Sequence, residues 1–170
     1  MDVSAEQIKN LREKSHAGVM NCRSALIKAE GDIDKALLIL KEQNLVVVEK
    51  KASRVTKQGL IESYVHAGGR IGVVIEVNCE TDFVARTDDF KQLAHNLAMQ
   101  VAALAPVCIT KEEIPQRDDI DPATAALLTQ PYIKDTTLTV QDIINEVISK
   151  TGENIKVRRF VRYELGEEIK

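Results

Sequence analysis

His66 and Cys79 fall on the two strands of one expected hairpin, where a thiolate-imidazole pair is the chemistry to look for. Side chains alternate in face along a strand, and that alternation sets these two on opposite faces, so Cys79 reads as a small core residue rather than a nucleophile. His16, His66 and His95 are far apart in the chain, and none has a cysteine at metal-ligand spacing. The Gly68-Gly69 pair lacks the Lys-Ser or Lys-Thr of a phosphate-cradling loop and is followed by a strand, not by a helix N-terminus; it reads as a turn. The run RRFVR, Arg158 to Arg162, interleaves basic and aromatic residues as a nucleic-acid surface would, but in a chain of net charge -3 a solvated strand face is the better reading. The expectation is a protein that is not an enzyme, with no cofactor and no metal.

One stretch remains. NCETDFVART, Asn78 to Thr87, joins a strand to a helix and places a large apolar side chain, Phe83, in the connection beside Asp82 and Thr81. The residues leave two readings open. Phe83 either folds back on the sheet edge as an outlying core residue, or stands out as a wedge. A ring presented by a tight connection between rigid elements costs little to order on binding and fits an apolar pocket in a partner.

The elements that hold this stretch follow from periodicity and capping. Ser4 and Gln7 have capping-box spacing, and Ile8 with Leu11 begin an apolar stripe. Val19, Cys22, Leu26 and Ala29 continue at helical spacing, and Asp32 caps a third helix through Ile33, Ala36, Leu37 and Leu40. Residues 1–45 therefore read as a three-helix bundle, 46–56 as a basic linker with some helical character, and 57–170 as a second domain. There the period changes to two: LIESYVHA and RIGVVIEVNC flank Gly68-Gly69 as a hairpin, with Ile71, Val73, Ile75, Val77 and Cys79 on one face. Thr87, Asp88 and Asp89 open a helix with Phe90, Leu93, Leu97, Val101 and Leu104 as its stripe. After a polar connection, Asp121-Pro122 opens a short helix, and Thr139 with Asp142 caps a longer one that ends at Thr151-Gly152. The last strand is expected to alternate Ile155, Val157, Val161, Tyr163 and Leu165 against charges, with Arg159 as the exception. These elements give an α+β fold: a bundle, then a small antiparallel sheet with packed helices.

A chain of 170 residues buries enough apolar surface to need no staples, and with 4% aromatic residues and no tryptophan its core must be aliphatic. Net charge gives no general reason to bind nucleic acid or an anionic membrane, so a protein partner is expected. Scattered Cys22, Cys79 and Cys108, and an N-terminus with no apolar signal core, are the pattern of a cytoplasmic protein with reduced thiols.

VNCETDFVAR resembles, residue for residue, the signature of the elongation factor Ts family, guanine nucleotide exchange factors of elongation factor Tu. The likeness extends further. LREKSHAGVMNCRSALIKAEGDIDKAL is similar to the family's N-terminal domain, a bundle related to ubiquitin-associated domains, while GGRIGVVIEVNCETDFVART, QPYIKD and GENIKVRRFVRYELGE are similar to its core. The resemblance implies that Asp82 and Phe83, with Thr81 and Val84 of the same motif, meet the partner's GTPase domain near its magnesium and phosphate site, and that GDP leaves faster. It also implies a second grip by the bundle through Arg12, Val19 and Met20.

Two departures stand out. SHAGVMNC replaces the usual TGAGMMDC, so His16 stands where glycine is common and Val19 where methionine is common; valine offers less reach than methionine. The chain also has one core unit, as in short family members, in which two copies pair and bind two partner molecules. A reading from another class, a ubiquitin-associated-type adaptor without exchange activity, is supported by the first bundle alone. A nucleotide-release assay separates the two.

Overall fold

The computed structural model describes residues 3–15, 17–115 and 120–168; His16 lies outside them, as do residues 116–119 of the polar connection. The chain begins with three helices, α1 (Ala5–Ser15), α2 (Val19–Lys28) and α3 (Ile33–Lys51). The starts of α1 and α3 are closed as their side chains dictate. Ser4 and Gln7 satisfy each other's backbone N–H groups at 3.0 and 3.1 Å, and Asp32 accepts from the N–H groups of Asp34 and Lys35 at 3.0 Å. Leu11, Cys22, Ala25, Leu26, Ala36 and Leu40 form their shared core.

The stretch expected as a linker is helical in its first half, because α3 runs unbroken to Lys51. Its β-branched run, Val46 to Val48, has weak helical propensity, but Val48 packs on the second hydrophobic cluster, and tertiary burial outweighs propensity. One helix therefore serves both clusters, with Leu40 in the first and Val48 against the second.

The second cluster is built on a three-stranded antiparallel sheet in the order β1 (Gln58–Val65), β2 (Ile71–Cys79), β5 (Lys156–Glu164). Gly68 and Gly69 turn the β1–β2 hairpin with φ of 90° and 69°, a conformation open to glycine at no steric cost. Gly59 is fixed by space, since a Cβ there would lie 2.1 Å from the Val77 carbonyl oxygen. The expected inner face of β2 is found: Val73, Ile75, Val77 and Cys79 are buried. The single-turn helix α4 (Asp82–Ala85) leads into α5 (Asp88–Leu104), which lies across β1 and β2. Then come α6 (Pro122–Ala125), a short hairpin of β3 (Pro131–Tyr132) and β4 (Asp135–Thr139) that the sequence did not announce, and α7 (Val140–Thr151), packed on α5 and α3. Buried Gln100 and Gln130 secure that hairpin: the Gln100 amide donates to Gln130 Oε1 and the Pro131 carbonyl at 3.1 Å and accepts from the Ile133 N–H at 2.9 Å. The architecture is α+β.

The alternation expected of the last strand is corrected. A β-bulge places two residues of β5, Arg158 and Arg159, across from the single step Val77 to Glu76 of β2, and the extra residue flips every side chain after it. Phe160 therefore joins Val157 against the core, while Val161 and Tyr163 turn to the open face. That face has four cross-strand rows: Gly59, Asn78 and Lys156, then Ile61, Glu76 and Arg159, then Ser63, Val74 and Val161, then Val65, Gly72 and Tyr163. All five of its large apolar side chains are exposed.

Candidate partner-binding site

The end of β2, α4 and the start of α5 hold the motif. Thr81 and Thr87 each precede a helix in extended conformation and each accept a hydrogen bond from the third helical N–H, Val84 at 3.4 Å and Phe90 at 3.3 Å. Val84, 5% exposed, and Ala85 sink into the core and fix one side of the turn. Phe83, on the other side, is 79% exposed, the highest value among the large apolar side chains of the described residues. Of the two readings left open by the sequence, the outlying core residue is thus set aside: the helical turn that buries Val84 points Phe83 to solvent. Val84, which the resemblance groups with the contact residues, has its side chain in the core, where it anchors the turn.

Asp82 and Thr81 are exposed beside the ring, and the Asp82 carboxylate accepts from Arg86 Nη2 at 2.7 Å. Beneath them the loop is tied to the chain leaving α7. The Glu153 carboxylate accepts from the N–H groups of Glu80 and Thr81 at 3.1 and 2.9 Å and from the Thr81 hydroxyl at 2.6 Å. In return the Glu80 carboxylate accepts from the Asn154 N–H at 2.7 Å, and the buried Asn154 amide donates to the carbonyls of Ala52 and Arg54 at 3.3 and 2.9 Å. The sequence reading missed these two residues. The only signal was GEN directly after a helix end, and nothing local pointed to partners more than seventy positions away.

The thiol under the motif is buried and disfavoured as a thiolate. Burial first, then the carboxylates of Glu153 and Asp82, push Cys79 up to about 11 against backbone hydrogen bonds that lower it. His66 lies at the far end of the hairpin, its backbone N–H donating to the Ile71 carbonyl, whereas Cys79 pairs with Gln58. Among the described residues no group of His, Cys, Asp and Glu is placed to hold a metal ion, and no helix is long and apolar enough to cross a membrane.

The bundle presents Arg12, Val19 and Met20 on its surface, Val19 at 48% and Met20 at 69% exposure. Val19 thus leaves the apolar stripe in which its spacing put it, while Cys22, Leu26 and Ala29 stay buried. Arg12 and Gly18 line a cleft of about 400 Å³ whose other wall includes Asp89 of α5 and Glu146 and Lys150 of α7. The bundle surface and the helix that follows the motif thus border one cleft.

The model of the family described as elongation factor TS matches residues 4–118. The elongation factor Ts of Thermotoga neapolitana is 47% identical over 196 aligned positions, covering 99% of this chain and all of the relative, and that of Moorella thermoacetica is 46% identical over 98% of this chain and 97% of its own. The first alignment is longer than this chain of 170 residues, so the relative's additional residues fall in gaps. The chain belongs to the elongation factor Ts family of translation elongation factors.

Proposed function

We propose that this protein speeds the release of GDP from elongation factor Tu, so that GTP can rebind, by inserting Phe83 and Asp82 into the partner's GTPase domain near its magnesium and phosphate site. The observation that carries the proposal is a phenylalanine held in solvent on a helical turn whose other side is anchored in the core. Such a ring is ordered before it binds, so its burial in a partner is not offset by much lost freedom. Acceleration requires that the nucleotide-free partner be bound more tightly than the GDP form, and by linkage GDP weakens the complex to the same degree. Exposed Arg12, Val19 and Met20 supply a second grip, with Met20 the longer reach.

The protein acts as a homodimer paired through the open face of its sheet. Ile61, Val65, Val74, Val161 and Tyr163 make that face apolar, and a second copy covers it without a new surface type. The pair binds two partner molecules.

Fluorescent GDP release from elongation factor Tu, followed with and without this protein, tests the reading. A release rate that does not rise with added protein overturns it in favour of a bundle-type adaptor. Light scattering should report about twice the 18.9 kDa of one chain, and a single-chain mass argues against the pairing.

A further inference from the structure

We propose that Glu153 is a positioning residue for Phe83: its carboxylate fixes the backbone from which the ring is presented. This rests on the reading of Phe83 as the intruding group. Helix α7 is capped by Gly152, whose φ of 77° reverses the chain so that Glu153 and Asn154 face the end of β2. There Glu153 takes both N–H groups, of Glu80 and Thr81, that precede α4, as well as the Thr81 hydroxyl. Thr81 also caps α4 through the Val84 N–H, so a single carboxylate orients the group that starts the helical turn carrying Phe83.

The clasp is reciprocal. Glu80 holds the Asn154 N–H, and Asn154, 2% exposed, reaches the carbonyls of Ala52 and Arg54 just beyond α3. Three separate segments therefore meet under the motif: the chain after α3, the chain before α4 and the chain after α7. A one-turn helix has too few hydrogen bonds of its own to hold a fixed direction. Without Glu153, the N–H groups and the hydroxyl of the loop turn to water, and the turn samples other orientations. A partner then meets the presenting conformation only for the fraction of time it is populated.

The role is separable from binding. The bundle surface would still hold the partner and the ring would insert within that docked pair, so a smaller presenting fraction lowers the maximal rate of GDP release while the protein concentration giving half that rate changes little. Glu153→Ala should lower the maximal rate about tenfold, as a presenting fraction of about one tenth implies. Glu153→Gln, with one accepting oxygen and an NH2 that cannot accept, should fall between Glu153→Ala and the native protein.

The test measures GDP release from elongation factor Tu for the full chain, Glu153→Ala, Glu153→Gln, Phe83→Ala and the double variant Phe83→Ala with Glu153→Ala. Amide hydrogen exchange at Glu80 and Thr81 and thermal melts are recorded on the free proteins. If Glu153 acts through the turn that carries the ring, the double variant releases GDP less slowly than the product of the two single effects predicts, and exchange at Thr81 quickens in Glu153→Ala. Effects that multiply in the double variant overturn the proposal, as does a full rate in Glu153→Ala when Phe83→Ala is slow. A full rate in Phe83→Ala overturns the reading of the ring itself, and the positioning role with it. Should Glu153→Ala fail to fold, Glu153→Gln and its double variant with Phe83→Ala decide by the same non-additivity.

Discussion

Two phenylalanines seven residues apart follow nearly the same local sequence and end in opposite environments. Thr81-Asp82-Phe83-Val84 and Thr87-Asp88-Asp89-Phe90 both set a threonine cap and an aspartate at a helix start, and both threonines accept the third helical N–H. In each turn that third residue points inward: Val84 is 5% exposed and Phe90 is 0% exposed. The first turn has its ring one position earlier. One position is about 100° around a helix, and that rotation carries Phe83 to 79% exposure. Hydrophobicity alone does not say whether a side chain belongs to the core; its place relative to the cap does.

Truncation of either ring should give the largest effects. Phe90 is fully buried among Leu93, Val77 and the rest of the sheet cluster, and Phe90→Ala should cost about 3 to 5 kcal/mol, lowering the melting temperature by roughly 10 °C. Phe83→Ala should change stability by no more than about 0.5 kcal/mol. Its effect should appear in GDP release, where losing an interfacial anchor of about 2 kcal/mol is roughly a thirtyfold slowing. Paired calorimetry and stopped-flow release would show a crossed pattern. A collapsed melt in Phe83→Ala, or an unchanged release rate, would sink the contrast.

How far the contrast was legible in the sequence depends on which interaction fixed each part. The caps were readable because they are local: Ser4 with Gln7, Asp32, Thr87, and Thr139 with Asp142 all close the helices that their spacing announced. The signature around Phe83 was equally plain, yet its direction was not, because the same residues fit a ring folded back on the sheet. The depth of Val84 in the core settles which way the ring faces, and Glu153 holds the backbone from which it is presented. Where distant contacts rule, the reading failed. The Arg158 bulge is set by pairing with β2, the reach of α3 to Lys51 by burial of Val48, and the β3–β4 hairpin by Gln100 across the core. Glu153 was invisible for the same reason: its partners lie more than seventy residues away.

The two caps should separate by a smaller margin. The Thr87 hydroxyl donates to Val84 O at 2.8 Å while accepting from Phe90, so it joins the end of α4 to the start of the long core helix α5. Thr87→Ala should cost about 1 kcal/mol, a drop of about 2 to 4 °C in melting temperature. Thr81 caps a single turn, so Thr81→Ala should move the melt less, yet it removes the hydroxyl held by Glu153 and should slow GDP release. Equal melts for the two variants, with a full release rate in Thr81→Ala, would show that the caps are interchangeable and that the motif needs no fixed start.

The smallest expected effect lies in the aspartates. Asp82 pairs with Arg86 one turn on, at 2.7 Å, but both side chains are largely in water, and exposed pairs at this spacing contribute about 0.3 to 0.5 kcal/mol. Asp89, in the first turn of α5, instead faces Lys150 of α7 at 3.7 Å. Neither carboxylate is central to the fold, so Asp82→Asn and Asp89→Asn should both melt within about 0.5 kcal/mol of the native protein. Release should tell them apart. Asp82 neighbours the ring that enters the partner, so Asp82→Asn should slow GDP release in the same direction as Phe83→Ala. Because the two side chains enter one site, combining them should give less than the product of their separate effects. The Asp82 contribution should also shrink at higher salt, since a charge that starts in water is screened over about 10 Å at 0.1 M. Asp89→Asn with a release defect as large as that of Asp82→Asn would mean that negative charge near the motif matters, and not the position of Asp82 beside the ring.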